Sequence, residues 1–287
     1  MTAPTPPTPA GPASSSSHPE PVVGEKGRRL FVRQWATPEG TVPNGPPVVL
    51  LHGLGEHSGR YDHLGRALAA AGRTTWALDH RGPGRSEGRR ANIERLEWAV
   101  ADVGRLVDRL GGTVVLFGHS MGGAIAAVYA STNPAKVRAL VLSGPALHLV
   151  TRPAWQVWPV RALAAVAPGA GIGGVGPKGL SHDPDVLDGF RADPLNWHGR
   201  PPARTAVEIY RAGCQAVPLA RQLKVPLLMV HGEDDPIVPV ASSRAYFAEV
   251  GSPDKELYVL PGMLHEPHQE LGKEPVIAHI VEWVLAH

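Results

Sequence analysis

The stretch with the most chemistry in it is Val114-Val115-Leu116-Phe117-Gly118-His119-Ser120-Met121-Gly122-Gly123. A Gly-x-Ser-x-Gly set between an apolar run and a small-residue helix is the pattern of a nucleophile elbow, a tight strand-to-helix turn that lifts a serine hydroxyl above a sheet. Residues two before and two after the serine must be tiny, because a Cβ there would collide with the neighbouring chain. Gly118 and Gly122 meet that demand. The turn also leaves the amide of Met121 at a helix N-terminus, where the dipole favours an anion. Serine is a poor nucleophile at its ordinary pKa, so it needs a base and an acid that orients the base. In folds that carry this elbow the chain order is serine, acid, histidine. Two loops downstream can supply them. His231-Gly232-Glu233-Asp234-Asp235-Pro236 follows one apolar run and offers Asp235, with Asp234 and Glu233 as rivals. Pro261-Gly262-Met263-Leu264-His265 follows another and offers His265, with His268 as rival and as a surface or supporting histidine otherwise. A tetrahedral intermediate also needs amide donors, each worth about 2.7–4 kcal/mol. Leu51-His52-Gly53-Leu54-Gly55 ends an earlier apolar run and places the Leu54 amide where it can join that of Met121.

The elements that must carry these residues alternate. Arg29–Trp35, Val48–Leu51, Thr74–Leu78, Thr113–Phe117, Val137–Leu142, Val225–Val230 and Glu256–Leu260 read as strands, several of them continuous apolar runs of the kind buried on both faces. Between them Tyr61–Ala71, Ile93–Leu110, Gly122–Ser131, Ser242–Glu249 and Pro275–Leu285 read as helices. The alternation predicts an α/β fold with a mostly parallel sheet and helices on both faces. Each candidate loop follows the carboxyl end of a strand, the edge where open α/β sheets bind ligands. The rhythm breaks after Pro145 for roughly sixty residues rich in Pro, Gly and Trp, too long for an ordinary connection. A cap inserted over about 146–212, after the strand at Val137–Leu142, is the economical reading. The domain then runs from 23 to 287, preceded over 1–22 by a Pro-, Ser- and Thr-rich leader too poor in apolar side chains to order itself.

Composition closes off several classes. The 28 Lys and Arg against 26 Asp and Glu leave a charge of +2, so there is no broad basic field for nucleic acid. Hydrophobic residues at 43% with 19% charged exclude a wholly disordered chain. The single cysteine, Cys214, cannot form an intrachain disulfide or a cysteine-based zinc cluster and reads as a buried small hydrophobe. The start lacks the cationic and apolar regions of a secretory signal, which suggests a cytoplasmic protein, at most peripheral to a membrane. The longest apolar candidate, Ala154–Val175, is interrupted by Pro159, Arg161 and Pro168 and reads as a surface able to touch a bilayer without spanning it.

With these residues in place a family resemblance emerges. His52-Gly53-Leu54-Gly55-Glu56-His57-Ser58-Gly59-Arg60-Tyr61 resembles the His-Gly-x-Gly-Glu-His-x-x-Arg-Tyr signature of monoacylglycerol lipases and lysophospholipase-like hydrolases. Asp79-His80-Arg81-Gly82-Pro83-Gly84-Arg85-Ser86, Ser181-His182-Asp183-Pro184 and Asp193-Pro194-Leu195 are similar to further segments of that group, and the likeness spans about residues 28–287. It implies an α/β-hydrolase fold, with a mostly parallel eight-stranded sheet, helices on both faces and a cap inserted after strand 6, a triad of Ser120, Asp235 and His265, and an oxyanion hole of Leu54 and Met121. Asp235 rather than Asp234 matches the Gly-x-x-Asp spacing counted from Gly232. It further implies that Glu56, Arg60 and His119 receive a glycerol head group, with a structural ion pair as the alternative for Glu56 and Arg60. The expected reaction is hydrolysis of monoacylglycerol esters through an acyl-enzyme. A lysophospholipase or general carboxylesterase on the same residues is the nearest alternative, and a non-catalytic ligand receptor of the same fold the more distant one. No metal or organic cofactor is implied. The expected partner is a small lipid ester, met at a membrane or micelle through a cap bearing Trp155, Trp158, Trp197, Val157, Val160, Leu163 and Val166.

Overall fold

The computed structural model describes residues 16–147, 154–173 and 176–287, without the side chains of 154–156, so Trp155 lies outside the described side chains. Eight strands form one sheet: β1 Ser16–Ser17, β2 Val32–Trp35, β3 Val48–Leu51, β4 Thr75–Leu78, β5 Val114–His119, β6 Val137–Ser143, β7 Leu227–Gly232 and β8 Lys255–Leu260. Their spatial order is β1-β2-β4-β3-β5-β6-β7-β8. The β1–β2 and β2–β4 pairings are antiparallel and all the others parallel. This is the mostly parallel sheet of an α/β-hydrolase fold.

The central strands are apolar on both faces because both are covered. On one side α1 (Asp62–Ala70) and α8 (Glu274–Ala286) bring Leu64, Leu68, Val276 and Ile280 against Leu50, Val115 and Phe117. On the other, α2 (Leu96–Leu110), α3 (Met121–Thr132) and α7 (Val240–Glu249) close over Val49, Leu116, Leu140 and Met229. Of the α3 residues, eleven are buried, which explains its uniformly small and apolar sequence.

Three expectations need correction. The strand read over Arg29–Trp35 is broken: Arg29–Leu30 pairs with Val22–Val23 in a separate hairpin, and only Val32–Trp35 joins the main sheet. The helix expected from Ile93 begins at Leu96, because Glu94 takes a positive φ of 55° and the Leu96 amide is capped by Glu208 Oε2 at 2.9 Å. Within the segment read as a leader, residues 1–15 lie outside the described residues, but Ser16–Ser17 pairs with Gln34–Trp35 and Val22 is buried. Backbone pairing holds those residues despite their composition.

Between β6 and β7 the chain makes its long excursion through α4 (Ala154–Val166), α5 (Pro184–Ala192) and α6 (Ala203–Leu219). Val160, Leu163 and Ala164 of α4 pack on Ala203 and Val207 of α6 in a small core of their own. The last turns of α6 run on into the main core through Ala212 and Ala216, so position 212 falls inside a continuous helix. Cys214 is half-buried on it rather than enclosed. Among the described residues no helix is long and apolar enough to cross a membrane.

Candidate active site

The register of the parallel strands brings four loops to one edge. Leu51 pairs with Gly118, His119 with Ser143, and Gly232 with Leu260, so the residues that follow β3, β5, β7 and β8 all emerge together. Ser120 lies between β5 and α3 with φ 51° and ψ −116°, a left-handed region that costs a non-glycine residue about 1–3 kcal/mol. Surrounding contacts hold it there. The Ser120 amide donates to Ser143 O at 2.9 Å, and Ser120 O accepts from the amides of Ala124 and Ala146. A Cβ on Gly122 would stand 2.3 Å from Leu51 O, and one on Gly118 would stand 2.6 Å from Gly122 O. The steric reading of the elbow is therefore met at both glycines.

The downstream loops are stitched to each other before they reach the serine. Glu233 N donates to Leu260 O at 2.9 Å and Asp234 N to Met263 O at 3.1 Å. This brings Asp235 Oδ2 to 2.7 Å from His265 Nδ1, while His265 Nε2 lies 2.9 Å from Ser120 Oγ. Asp235 Oδ1 accepts the amides of Ile237 at 2.8 Å and Val238 at 2.9 Å. Burial pushes the Asp235 carboxyl upward, but hydrogen bonds from His231 and His265 outweigh it and hold the group below the usual carboxylate range. The rivals stand elsewhere. Asp234 and Glu233 are exposed, the latter paired with Arg244. His268 is fully buried rather than on the surface, stacked on Tyr61 with ring centroids 5.2 Å apart, and burial followed by the neighbouring His119 lowers it well below the ordinary histidine range.

The loop after β3 is organised by one carboxylate. Glu56 Oε1 accepts the Gly53 amide at 2.6 Å and the Tyr61 hydroxyl at 2.7 Å, and Oε2 accepts Arg60 Nη1 at 2.6 Å. Arg60 in turn forms a two-pronged pair with Glu266 at 2.6 and 2.7 Å. Glu56 and Arg60 thus form the ion pair that the sequence left as an alternative, and they also line the cavity above Ser120. Burial raises the Glu56 carboxyl, but the Arg60 guanidinium and then His119, His52 and the Tyr61 hydroxyl draw it down to about 2. Arg60 is desolvated as well, yet Glu266 and Glu56 raise it above the ordinary guanidinium value. Glu56, His119 and Glu266 bring ligand-type atoms within 4.8 Å of one another. The guanidinium already occupies both carboxylates, so the cation of this cluster is Arg60.

His119 donates Nδ1–H to Ser143 O at 2.9 Å, the carbonyl that also holds the Ser120 amide. Its Nε2 is then an acceptor, and burial together with His265 lowers the ring to about 3, so it stays neutral. Leu54 lines the same cavity. Met121 opens α3, so its amide lacks a carbonyl one turn back. The cavity has a volume of about 520 Å³, with Ser120 and His265 in its wall, and Phe190, Trp197 and Ile209 of the insertion complete it.

The insertion is pinned to this site through the two segments noted for their family likeness. Asp193 Oδ2 accepts His57 Nε2–H at 2.8 Å, and the Trp197 amide donates to Gly55 O at 2.9 Å. Ser181 and His182 both donate to Glu270 Oε1, and the Glu266 amide donates to Leu180 O at 2.9 Å. Sequence reading missed Glu266, Glu270 and His231. Glu266 is adjacent to His265 and His231 opens the Gly-x-x-Asp loop, so position along the chain was the available signal, but nothing in the residues named their partners.

A nucleophile elbow on a mostly parallel sheet, with its serine joined through an imidazole to a buried carboxylate, defines a serine hydrolase of the α/β-hydrolase fold. Residues 45–272 match the family described as Hydrolase_4, serine aminopeptidase S33, and the chain belongs to that family. It is 38% identical over 272 residues to a monoacylglycerol lipase of Mycolicibacterium smegmatis, covering 92% of this chain and 96% of that one. It is 31% identical over 275 residues to the monoglyceride lipase of Homo sapiens, covering 92% and 89%. The crystal structure of Paleococcus ferrophilus monoacylglycerol lipase superposes with a TM-score of 0.82 at 33% identity, covering 90% of this chain and 99% of that chain.

Because the folded Glu56 carboxyl lies near 2 against an ordinary 4.5, it contributes stability that is present above pH 4.5 and lost as pH falls toward 2. The difference corresponds to about 3 kcal/mol. Urea unfolding of wild type and Glu56→Gln between pH 7 and pH 2.5 is expected to show a variant less stable at neutral pH by that order, with a shallower decline in acid. An acid decline as steep as that of wild type contradicts the assignment.

Proposed function

We propose that the chain hydrolyses monoacylglycerol esters through an acyl-enzyme on Ser120. His265 takes the Ser120 proton as the hydroxyl attacks the ester carbonyl, then delivers it to the departing glycerol oxygen. Asp235 fixes the imidazole tautomer that leaves Nε2 free to accept and stabilises the cation that forms. The amides of Leu54 and Met121 receive the developing oxyanion, the second at a helix N-terminus where negative charge is favoured. Water then enters by the same route in reverse, and the fatty acid leaves. The observation that carries this reading is the unbroken Ser120–His265–Asp235 chain, with contacts of 2.9 and 2.7 Å at the wall of a mainly apolar cavity. The names of the relatives above support the ester class.

The polar end of the cavity supports a neutral alcohol as leaving group. Glu56 and Glu266 share one guanidinium beside a neutral His119, so hydroxyls find donors and acceptors there while a phosphodiester meets two carboxylates. This favours monoacylglycerol over a lysophospholipid. Initial rates on monoolein and on lysophosphatidylcholine test it. Turnover of monoolein is expected to exceed that of lysophosphatidylcholine by at least about tenfold in kcat/KM, and Ser120→Ala is expected to lose about 10³-fold or more on both. Preference for the phospholipid, or near-normal activity of the alanine variant, defeats the proposal.

The insertion is read as the surface that meets the lipid phase. Trp158 is 70% exposed and Val166 83% exposed on α4, and Arg161, Ala162 and Ala165 complete that outward face at helical spacing. Trp158→Ala is expected to lower the rate on vesicle-borne monoolein several-fold while leaving hydrolysis of soluble p-nitrophenyl acetate unchanged. An equal fall on both substrates removes the membrane role.

A further inference from the structure

His231 is fully buried at the end of β7 and takes no part in the reaction as described above, yet it touches the carboxylate on which that reaction depends. Its Nε2 lies 2.8 Å from Val238 O and 3.1 Å from Asp235 Oδ2, and its Nδ1 lies 2.7 Å from Ser243 Oγ on α7. These partners choose the tautomer. A carbonyl and a carboxylate both accept, so Nε2 carries the hydrogen, and Nδ1 receives the Ser243 hydroxyl hydrogen. Asp235 is then engaged at both oxygens: Oδ1 accepts two amides, and Oδ2 accepts His265 Nδ1–H and a share of the His231 Nε2–H, whose nearer acceptor is Val238 O.

We propose that His231, itself oriented by Ser243, is a positioning residue that fixes the plane of the Asp235 carboxylate and takes up part of the charge on Oδ2. The inference rests on the Ser120, His265 and Asp235 roles proposed above. An oxygen shared between two donors is a weaker acceptor for each, so His231 moderates the pull of Asp235 on His265. Removing its N–H leaves more charge on Oδ2, which stabilises the His265 imidazolium. His265 must be neutral to act as base, so activity is lost as pH falls through its protonation, and the variant loses activity at a higher pH than wild type.

The other groups around His265 are His119, with ring centroids 4.8 Å apart, His268 from the turn that follows, and the Arg60, Glu56 and Glu266 cluster beyond them. His119 also senses Asp235. None of these is among the hydrogen-bond or ion-pair partners of His231, which are Ser243, Val238 and Asp235.

The test is the kcat and kcat/KM profile of the full chain on p-nitrophenyl butyrate from pH 5 to pH 9. His231→Phe is expected to lower kcat about tenfold with KM nearly unchanged, and to move the acid limb upward by about half a pH unit. His231→Gln keeps an N–H close to the Nε2 position and is expected to restore the limb and most of kcat. A purely structural histidine predicts loss of activity with the limb unmoved. An unmoved limb in His231→Phe, or a glutamine variant that behaves like phenylalanine, overturns the proposal. Should circular dichroism show that His231→Phe does not fold, Ser243→Ala decides. It leaves the imidazole in place but releases Nδ1, and an upward shift of the limb supports the proposal while an unmoved one overturns it. Ser120→Ala assayed alongside keeps the two levels apart, since residual activity there defeats the triad and the outcomes at 231 and 243 bear only on this inference.

Discussion

The positive φ of Ser120 is the constraint from which the site follows. A serine gains nothing locally from that conformation, so the energy to hold it comes from the parallel strands on either side. Gly118 and Gly122 permit β3, β5 and α3 to approach until backbone meets backbone, and Ser143 O ties both Ser120 and His119 to β6. The sheet is a rigid frame here because its central strands are buried on both faces. The same approach that strains the serine leaves the first amide of α3 without an intrahelical acceptor, next to the hydroxyl. Strain, exposure of the hydroxyl and an amide without an intrahelical acceptor are therefore consequences of one packing arrangement.

The second debt of the site is electrostatic. Two carboxylates and one guanidinium are buried beside Ser120, and taking charges out of water is costly unless every donor and acceptor is matched. Here they are matched. Glu56 satisfies an amide, a hydroxyl and Arg60 at once, and Arg60 meets Glu266 with both prongs of its fork. The return is geometric, since the Gly53 amide and with it the loop that carries Leu54 are fixed by a side chain rather than by a strand. Imidazoles held neutral by burial, His119 and His268, fill the remaining polar space beside His265.

Much of this was legible in the residues, for a physical reason. Elbow, strand alternation and triad order are local patterns, and the glycines at 118 and 122 state a steric demand that survives translation into three dimensions. Asp235 and His265 could be chosen because both sit just past apolar runs. What could not be read depended on contacts across the chain. Ser16–Ser17 pairs with Gln34–Trp35 although its composition resembles that of a free tail. Glu94 breaks a helical stripe whose spacing was intact. His268 sits in the core rather than at the surface because an aromatic stack with Tyr61 replaces water. Glu266 and His231 acquire their meaning only from Arg60 and Asp235, partners that lie 206 residues and a loop away respectively.

The central claim is that convergence at one sheet edge turns the hydroxyl of Ser120 into a nucleophile, and covalent capture tests it most directly. The native protein is treated with a fluorophosphonate, digested, and the adduct mapped by mass spectrometry. One equivalent of label on the peptide containing Ser120, blocked when the fold is first unfolded in urea, is the predicted result. Label on another residue, or a folded protein that takes up none, contradicts the account.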